Sequence, residues 1–281
     1  MTTGADAVSA ARVLDRVAVL VGAGVSPPRA WTLVGGLPDG DAPAWQDVRV
    51  VLRIAEHTGA PSAEALRALA AAMRRSAASD RAVRVALAGP RTSARIVLAL
   101  PLLGLGLGWL WGAGAPGVLL TRPLGWVCCG LASGLVLVGQ RWTRRLVLAA
   151  TPDGHVPGIL LDAWAVALSG GGSWPSAGAT VHRAFDDVGR SDRVRADPAS
   201  TERLREVLEL ARRAGVPAAG LLRAAAEDVR DDAAAAGLAA AERLSVRLVL
   251  PLGVCVLPAF VLVGVVPVVV GVLSSTVGGL R

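Results

Sequence analysis

The sequence predicts an all-α integral membrane protein with two duplicated cytoplasmic helical bundles and three transmembrane helices. Three observations predict it. Residues 248–280 carry no charged side chain. A bilayer core takes roughly 20 apolar residues at ~1.5 Å rise each, and a soluble core helix rarely runs so far without a polar face. Two further uncharged stretches, 96–115 and 124–139, flank Gly112-Ala113-Gly114-Ala115-Pro116-Gly117. That segment has tight-turn composition, so the pair reads as a membrane hairpin. Outside these stretches apolar residues recur at helical spacing, and the pattern is written twice.

Composition agrees with this class. The chain has 281 residues, 53% of them hydrophobic, and a mean hydropathy of +0.53. That balance suits a membrane protein with sizeable soluble parts. The net charge is +7, and with no lysine all 29 basic residues are arginine. Their clustering beside apolar stretches points to membrane lipids. The eight tryptophans form no basic–aromatic repeat of the kind that stacks nucleic acid, so no nucleic-acid partner is expected.

The arginines set the orientation. Arg91 and Arg95 precede the first span, Arg141, Arg144 and Arg145 follow the second, and the hairpin holds only Arg122. By the positive-inside rule both flanks are cytoplasmic and the turn is outside. The second span is extended to 118–140, with Arg122 reaching toward the headgroups. Arg243 and Arg247 start a third span, 248–273, from the cytoplasm. The expectation is a multi-pass cell-membrane protein, N-terminus cytoplasmic and C-terminus outside. Trp109, Trp111, Trp126 and Trp142 suit an interfacial aromatic belt. Cys128, Cys129 and Cys255 fall inside the spans as small apolar fillers, and no zinc spacing is present.

The soluble parts are helical by pattern. Residues 1–13 are expected to be disordered, with no signal peptide. The first cytoplasmic repeat covers 14–92. A short helix from Leu14 stops at Gly22-Ala23-Gly24. Ser26-Pro27-Pro28 opens the next, since Ser caps and Pro fits the first turn. A third helix, from about Ala44 to His57, shows Val51, Ile54, Ala55 and Thr58 on one face. Gly59 ends it, and Pro61-Ser62 starts a fourth, with stripe Leu66, Leu69, Ala70 and Met73. The second repeat covers 141–246. A helix over 160–168 stops at Gly170-Gly171-Gly172, and Ser173-Trp174-Pro175 opens another. Residues 189–200 read as a polar, charged loop. Then 201–214 is amphipathic through Leu204, Val207, Leu208 and Ala211. After Gly215-Val216-Pro217 a long alanine-rich helix feeds the last span.

The two repeats align in order. Leu14-Asp15 matches Leu161-Asp162, and the Gly24 to Pro28 segment matches Gly171 to Pro175, both 147 residues on. Val51-Leu52-x-x-Ala55 matches Val207-Leu208-x-x-Ala211, 156 residues on. Gly59-Ala60-Pro61 matches Gly215-Val216-Pro217. Ser93-x-Arg95 with Pro101-Leu102 matches Ser245-x-Arg247 with Pro251-Leu252. Five matches in one order indicate an internal duplication, with one extra span between the copies.

On these residues the chain resembles the type II secretion system F family. The resemblance rests on the two Gly-x-Pro helical repeats, the three spans and the segment 251–260, Pro-Leu-Gly-Val-Cys-Val-Leu-Pro-Ala-Phe, followed by Gly264-Val265-Val266-Pro267. Within that family it is most similar to the tight-adherence (Flp/Tad) pilus assembly platform proteins. The resemblance implies a non-enzymatic inner-membrane platform beneath a growing filament. Its implied partners are a secretion or pilus motor ATPase, pilin-like subunits and a second F-family platform subunit, in a homo- or hetero-oligomer.

A search for chemistry agrees with a non-enzyme. The G-x-x-x-x-G-K-[ST] phosphate loop requires a lysine, which the chain lacks, so a separate protein must hydrolyse any ATP. His57, His155 and His182 make no metal pair at helical spacing. The glycines between Ser169 and Ser173 read as a helix break rather than a phosphate cradle. No cofactor, metal or catalytic residue is assigned. Arg230, Asp231, Asp232, Glu242 and Arg243, on the helix leading into the last span, are candidate motor-ATPase contacts. A solvated helix with i,i+4 charge pairs is the equal alternative. Pro101, Pro251, Pro258 and Pro267 are candidate kinks in membrane helices, because each removes a backbone donor. The alternative function is a small membrane transporter or channel subunit. The absence of intramembrane charge and the odd number of spans weigh against it.

Overall fold

A computed structural model describes residues 3–38, 42–86, 88, 106, 123–149, 154–192, 197–266 and 269. Among the described residues every regular element is helical. The helices are α1 (Thr3–Gly22), α2 (Pro27–Val34), α3 (Pro43–Thr58), α4 (Ser62–Ala86), α5 (Pro123–Ala149), α6 (Ile159–Ser169), α7 (Trp174–Asp187), α8 (Pro198–Ala214) and α9 (Ala218–Arg247). A run of short helical segments follows from Val249–Pro251 to Val261–Val265. The chain divides into two compact units, Met1–Ala82 with Pro152–Gly237, and Val83–Thr151 with Leu238–Arg281.

The expected disorder over 1–13 is overturned, because α1 begins at Thr3. Ala7, Ala10 and Ala11 are buried in register with Leu14, Val17 and Ala18. Alanine carries little hydrophobic signal but has the best helix propensity and allows close approach of helices. The local stops fall where expected. Gly35, Gly59 and Gly215 cap α2, α3 and α8 in the left-handed region, which glycine enters without a Cβ penalty. Asp197 and Ser173 accept from Ser200 N–H and Ser176 N–H to cap α8 and α7.

Helices α1 to α4 correspond in order to α6 to α9. Each copy builds a core from matched positions. In the second, Leu161, Ala165, Leu204, Val207, Ala211, Leu222 and Ala226 pack together. Their counterparts Leu14, Ala18, Val48, Val51, Ala55, Leu66 and Ala70 do so in the first. Both copies belong to one compact unit. The first copy's core continues through Ala163, Val166, Ala167, Val181 and Phe185 of the second. Helix α3 makes this junction, lying against both α6 and α7. It carries a second buried stripe, Asp47, Val50 and Ile54, beside the one facing its own copy.

Helices α3 and α6 run parallel: the Val156 N–H, just before α6, donates to Asp47, and Gly170, just after it, meets Thr58. A Cβ on Gly170 would stand 2.3 Å from the Thr58 carbonyl oxygen. Gly170→Ala is therefore expected to push α3 off α6 and cost about 1–3 kcal/mol. Thermal unfolding of the purified chain checks it, with Gly171→Ala unsuitable as a control because Gly171 has φ +82°.

In the second unit α5 and the terminal run lie antiparallel. Leu146 and Val147 near the end of α5 pack with Leu248, Gly139 faces Cys255, and Ala132 meets Ala259 and Val263. Helix α5 continues past residue 140, the expected end of the second span, to Ala149. Arginine propagates a helix well, and Leu146 and Val147 find a partner in the Val83, Ala241 and Leu244 cluster. No described helix is long and apolar enough to cross a membrane. Wide π-turns over Leu252–Val256 and Val261–Val265 divide the terminal run. They follow Pro251 and surround the Pro258 segment, where prolines remove α-helical donors. The expected span 96–115 apart from Gly106, with its Pro101, and Pro267 lie outside the described residues.

Candidate functional site

The candidate contact residues on α9 differ in exposure. Asp231 and Asp232 are exposed in the first unit, with Asp232 3.8 Å from Arg203 on α8. Glu242 and Arg243 are exposed in the second unit. Arg230 as an exposed contact is corrected. It is 6% exposed and donates to Asp162 at 2.8 Å and to the Pro157 carbonyl. A buried guanidinium requires such a partner, and α9 turns this face onto α6.

A second pair stands at the aligned sequence positions. Arg74 and Asp15 form the matching ion pair in the first copy, there about half exposed. A second match lies two helical turns earlier. Arg67 reaches the Ala18 carbonyl at 3.5 Å, and Arg223 reaches Ser169 Oγ at 3.1 Å. Gly22 stands where Ser169 does, and a side chain there would collide with the Arg67 guanidinium. Both copies thus tie their fourth helix to their first by arginines at the same two positions. In the second, Arg223 also pairs with Glu64, at 3.0 Å.

Burial pushes the Asp162 carboxyl up to about 6, opposed by Arg230, Arg75 and Arg223. The folded chain therefore holds a proton that the unfolded chain has released between about pH 4 and 6. Stability contributed by this group falls as pH rises through that window. Asp162→Asn is expected to flatten the slope, worth about 3 kcal/mol across the whole window, and melting curves from pH 4 to 7.5 on both proteins check it.

A second polar cluster escaped the sequence reading. Asp47 has no solvent exposure and Arg190 has 5%. Arg190 donates to Asp47 Oδ1 at 3.0 Å and to Gln46 Oε1 at 3.2 Å. The Val156 N–H donates to Asp47 Oδ2 at 3.0 Å, and His155 Nδ1 stands 3.9 Å from that oxygen. Gly189, at φ +69°, reverses the chain after α7 and delivers Arg190. The signals were Asp47 inside an otherwise valine-rich stripe and an arginine directly after a glycine stop. A cavity of about 240 Å³ adjoins the cluster, lined by His155, Leu160, Phe185, Arg190, Asp197 and Ser200. Its two charged groups are already engaged, Arg190 by Asp47 and Asp197 by its cap. The cluster therefore pins the loops that flank α6 and α7 to α3. Among the described residues no group of three His, Cys, Asp or Glu side chains could hold a metal ion.

No protein-family model matches the chain, and no curated protein or solved structure matches it.

Proposed function

We propose that this chain is a non-enzymatic inner-membrane platform of a type II secretion or type IV (Tad/Flp) pilus assembly machine. It couples a cytoplasmic motor ATPase to pilin extraction and assembly. One observation carries the membrane part of this reading. Helix α5 and the terminal run pack through Ala132, Gly139, Cys255 and Ala259, while their other faces are apolar and exposed. Trp126 is 68% exposed, Val127 65%, Val254 59% and Leu257 63%. So broad an apolar surface is what lipid or a partner helix covers. The antiparallel pairing also brings Arg144 and Arg145 to the same end as Arg247, in keeping with a cytoplasmic, positively charged end.

The platform part rests on the duplicated helical modules and on the resemblance. In this reading the exposed acidic face at Asp231 and Asp232 takes the motor ATPase, and a second F-family subunit and pilin-like subunits meet the membrane part. The chain should resist alkaline carbonate extraction of membranes and co-purify in detergent with a secretion or pilus motor ATPase of the same cell. A cysteine introduced at Glu206 should react with an impermeant maleimide only once the membrane is opened. Release by carbonate, or labelling of that cysteine on intact cells, would sink the reading.

A further inference from the structure

The two copies are equivalent in sequence but not in what covers them. In the second copy the α6–α7 face is covered by α3, through Asp47, Val50 and Ile54. Among the described residues no such helix lies on the matching face of the first copy, on α1 and α2. Position by position, buried Val166 becomes Val19, 63% exposed, and buried Ala163 becomes exposed Arg16. Leu33, at the far end of α2, is 62% exposed.

The counterpart of α3 is α8, and its junction stripe is equally uncovered. Val50 and Ile54, both fully buried, correspond to Glu206 and Leu210, both exposed, with Leu210 at 48%. The other stripe of α8, Leu204, Val207 and Ala211, is buried in its own copy like that of α3. One chain therefore carries an unused receptor at one end of its tandem and an unused donor at the other.

We propose that α8 of a second copy of this chain docks on the α1–α2 face, as α3 docks on α6–α7, giving head-to-tail association. The charges fit. Within the chain, Val50 and Ile54 run beside the stretch 160–167, because α3 and α6 are parallel. Carried over to two chains, Glu206 and Leu210 run beside 13–20, where Arg16 and Val19 stand. A carboxylate replaces one apolar partner and a guanidinium the other. No ion pair holds Arg16 or Glu206 among the described residues. Ala23 replaces Gly170, so the docked helix stands off by a methyl where α3 touches backbone. The contact is more polar than the internal one, as suits an interface between surfaces that are wet when apart. Being heterologous, it leaves a receptor and a donor free at the ends and continues into a ring or a line.

The test uses the full chain in membranes and does not depend on the pilus reading. Two differently tagged chains, both Cys128→Ala, Cys129→Ala and Cys255→Ala, are co-expressed, one with Val19→Cys and the other with Leu210→Cys. Copper-phenanthroline oxidation should join them into a mixed disulfide dimer, and a single chain bearing both cysteines should give a ladder. Pairing Val19→Cys with Arg205→Cys, on the opposite side of α8, should give little. Arg16→Glu should lower the mixed-dimer yield about two- to fivefold, the worth of one exposed ion pair, and adding Glu206→Arg should restore it. No mixed dimer, Val19→Cys joining only to itself, or equal yield with Arg205→Cys would each overturn the proposal.

Discussion

Replacing Asp47 with alanine is expected to cost the first unit about 3–5 kcal/mol, the typical loss when one member of a buried ion pair is removed. Asp47 is fully buried and satisfies the Arg190 guanidinium and the Val156 N–H together. Among the described residues its loss leaves a cation at 5% exposure with the Gln46 amide oxygen as its remaining partner. Arg190→Ala should cost a similar amount, because it strands the carboxylate. Asp47→Leu with Arg190→Met should cost less than the sum of the single changes, since no charge remains buried. Urea unfolding followed by tryptophan fluorescence reads all three. Trp45 and Trp164 pack in or against this core. Additive losses would mean that the two side chains stabilise the fold independently.

Arg230→Ala is expected to be the second large loss, about 3 kcal/mol at neutral pH, whereas Arg74→Ala at the matching position should cost at most about 1 kcal/mol. The two pairs have the same chemistry and sequence positions but differ in exposure. Arg230 and Asp162 are 6% and 14% exposed, Arg74 and Asp15 48% and 39%. The Arg230→Ala loss should shrink at pH 5. Burial already favours the neutral Asp162 carboxyl, and without its cation that group takes up a proton more readily still. A loss constant from pH 5 to 7.5 would rule this out. Thermal melts of both variants at the two pH values make the comparison.

Much of the local architecture was legible in the residues. Gly59, Gly215 and the Ser173-Trp174-Pro175 segment mark helix ends because left-handed geometry and capping are properties of a few neighbouring residues. The stripe Leu204, Val207 and Ala211 announced the buried face of α8. The repeat was also readable, and each copy's helices fold in the matched order. Three things were not. The start of α1 was hidden because Ala7, Ala10 and Ala11 signal helix packing only once a neighbour is present. The shared core was hidden because nothing along α3 says which copy its second stripe faces. Arg230 was read as a surface charge because a guanidinium's burial depends on where Asp162 lies in space.

The sequence by itself determined the helical class and where several helices end, since periodicity and caps are recorded in spacing along the chain. Only the tertiary structure decided that the two copies form one unit, that Asp47 and Arg190 close it, and that one of two matched ion pairs is buried while the other is wet. Those outcomes depend on distances between residues far apart in sequence, and burial, which sets the strength of each charge, is a property of the packed molecule.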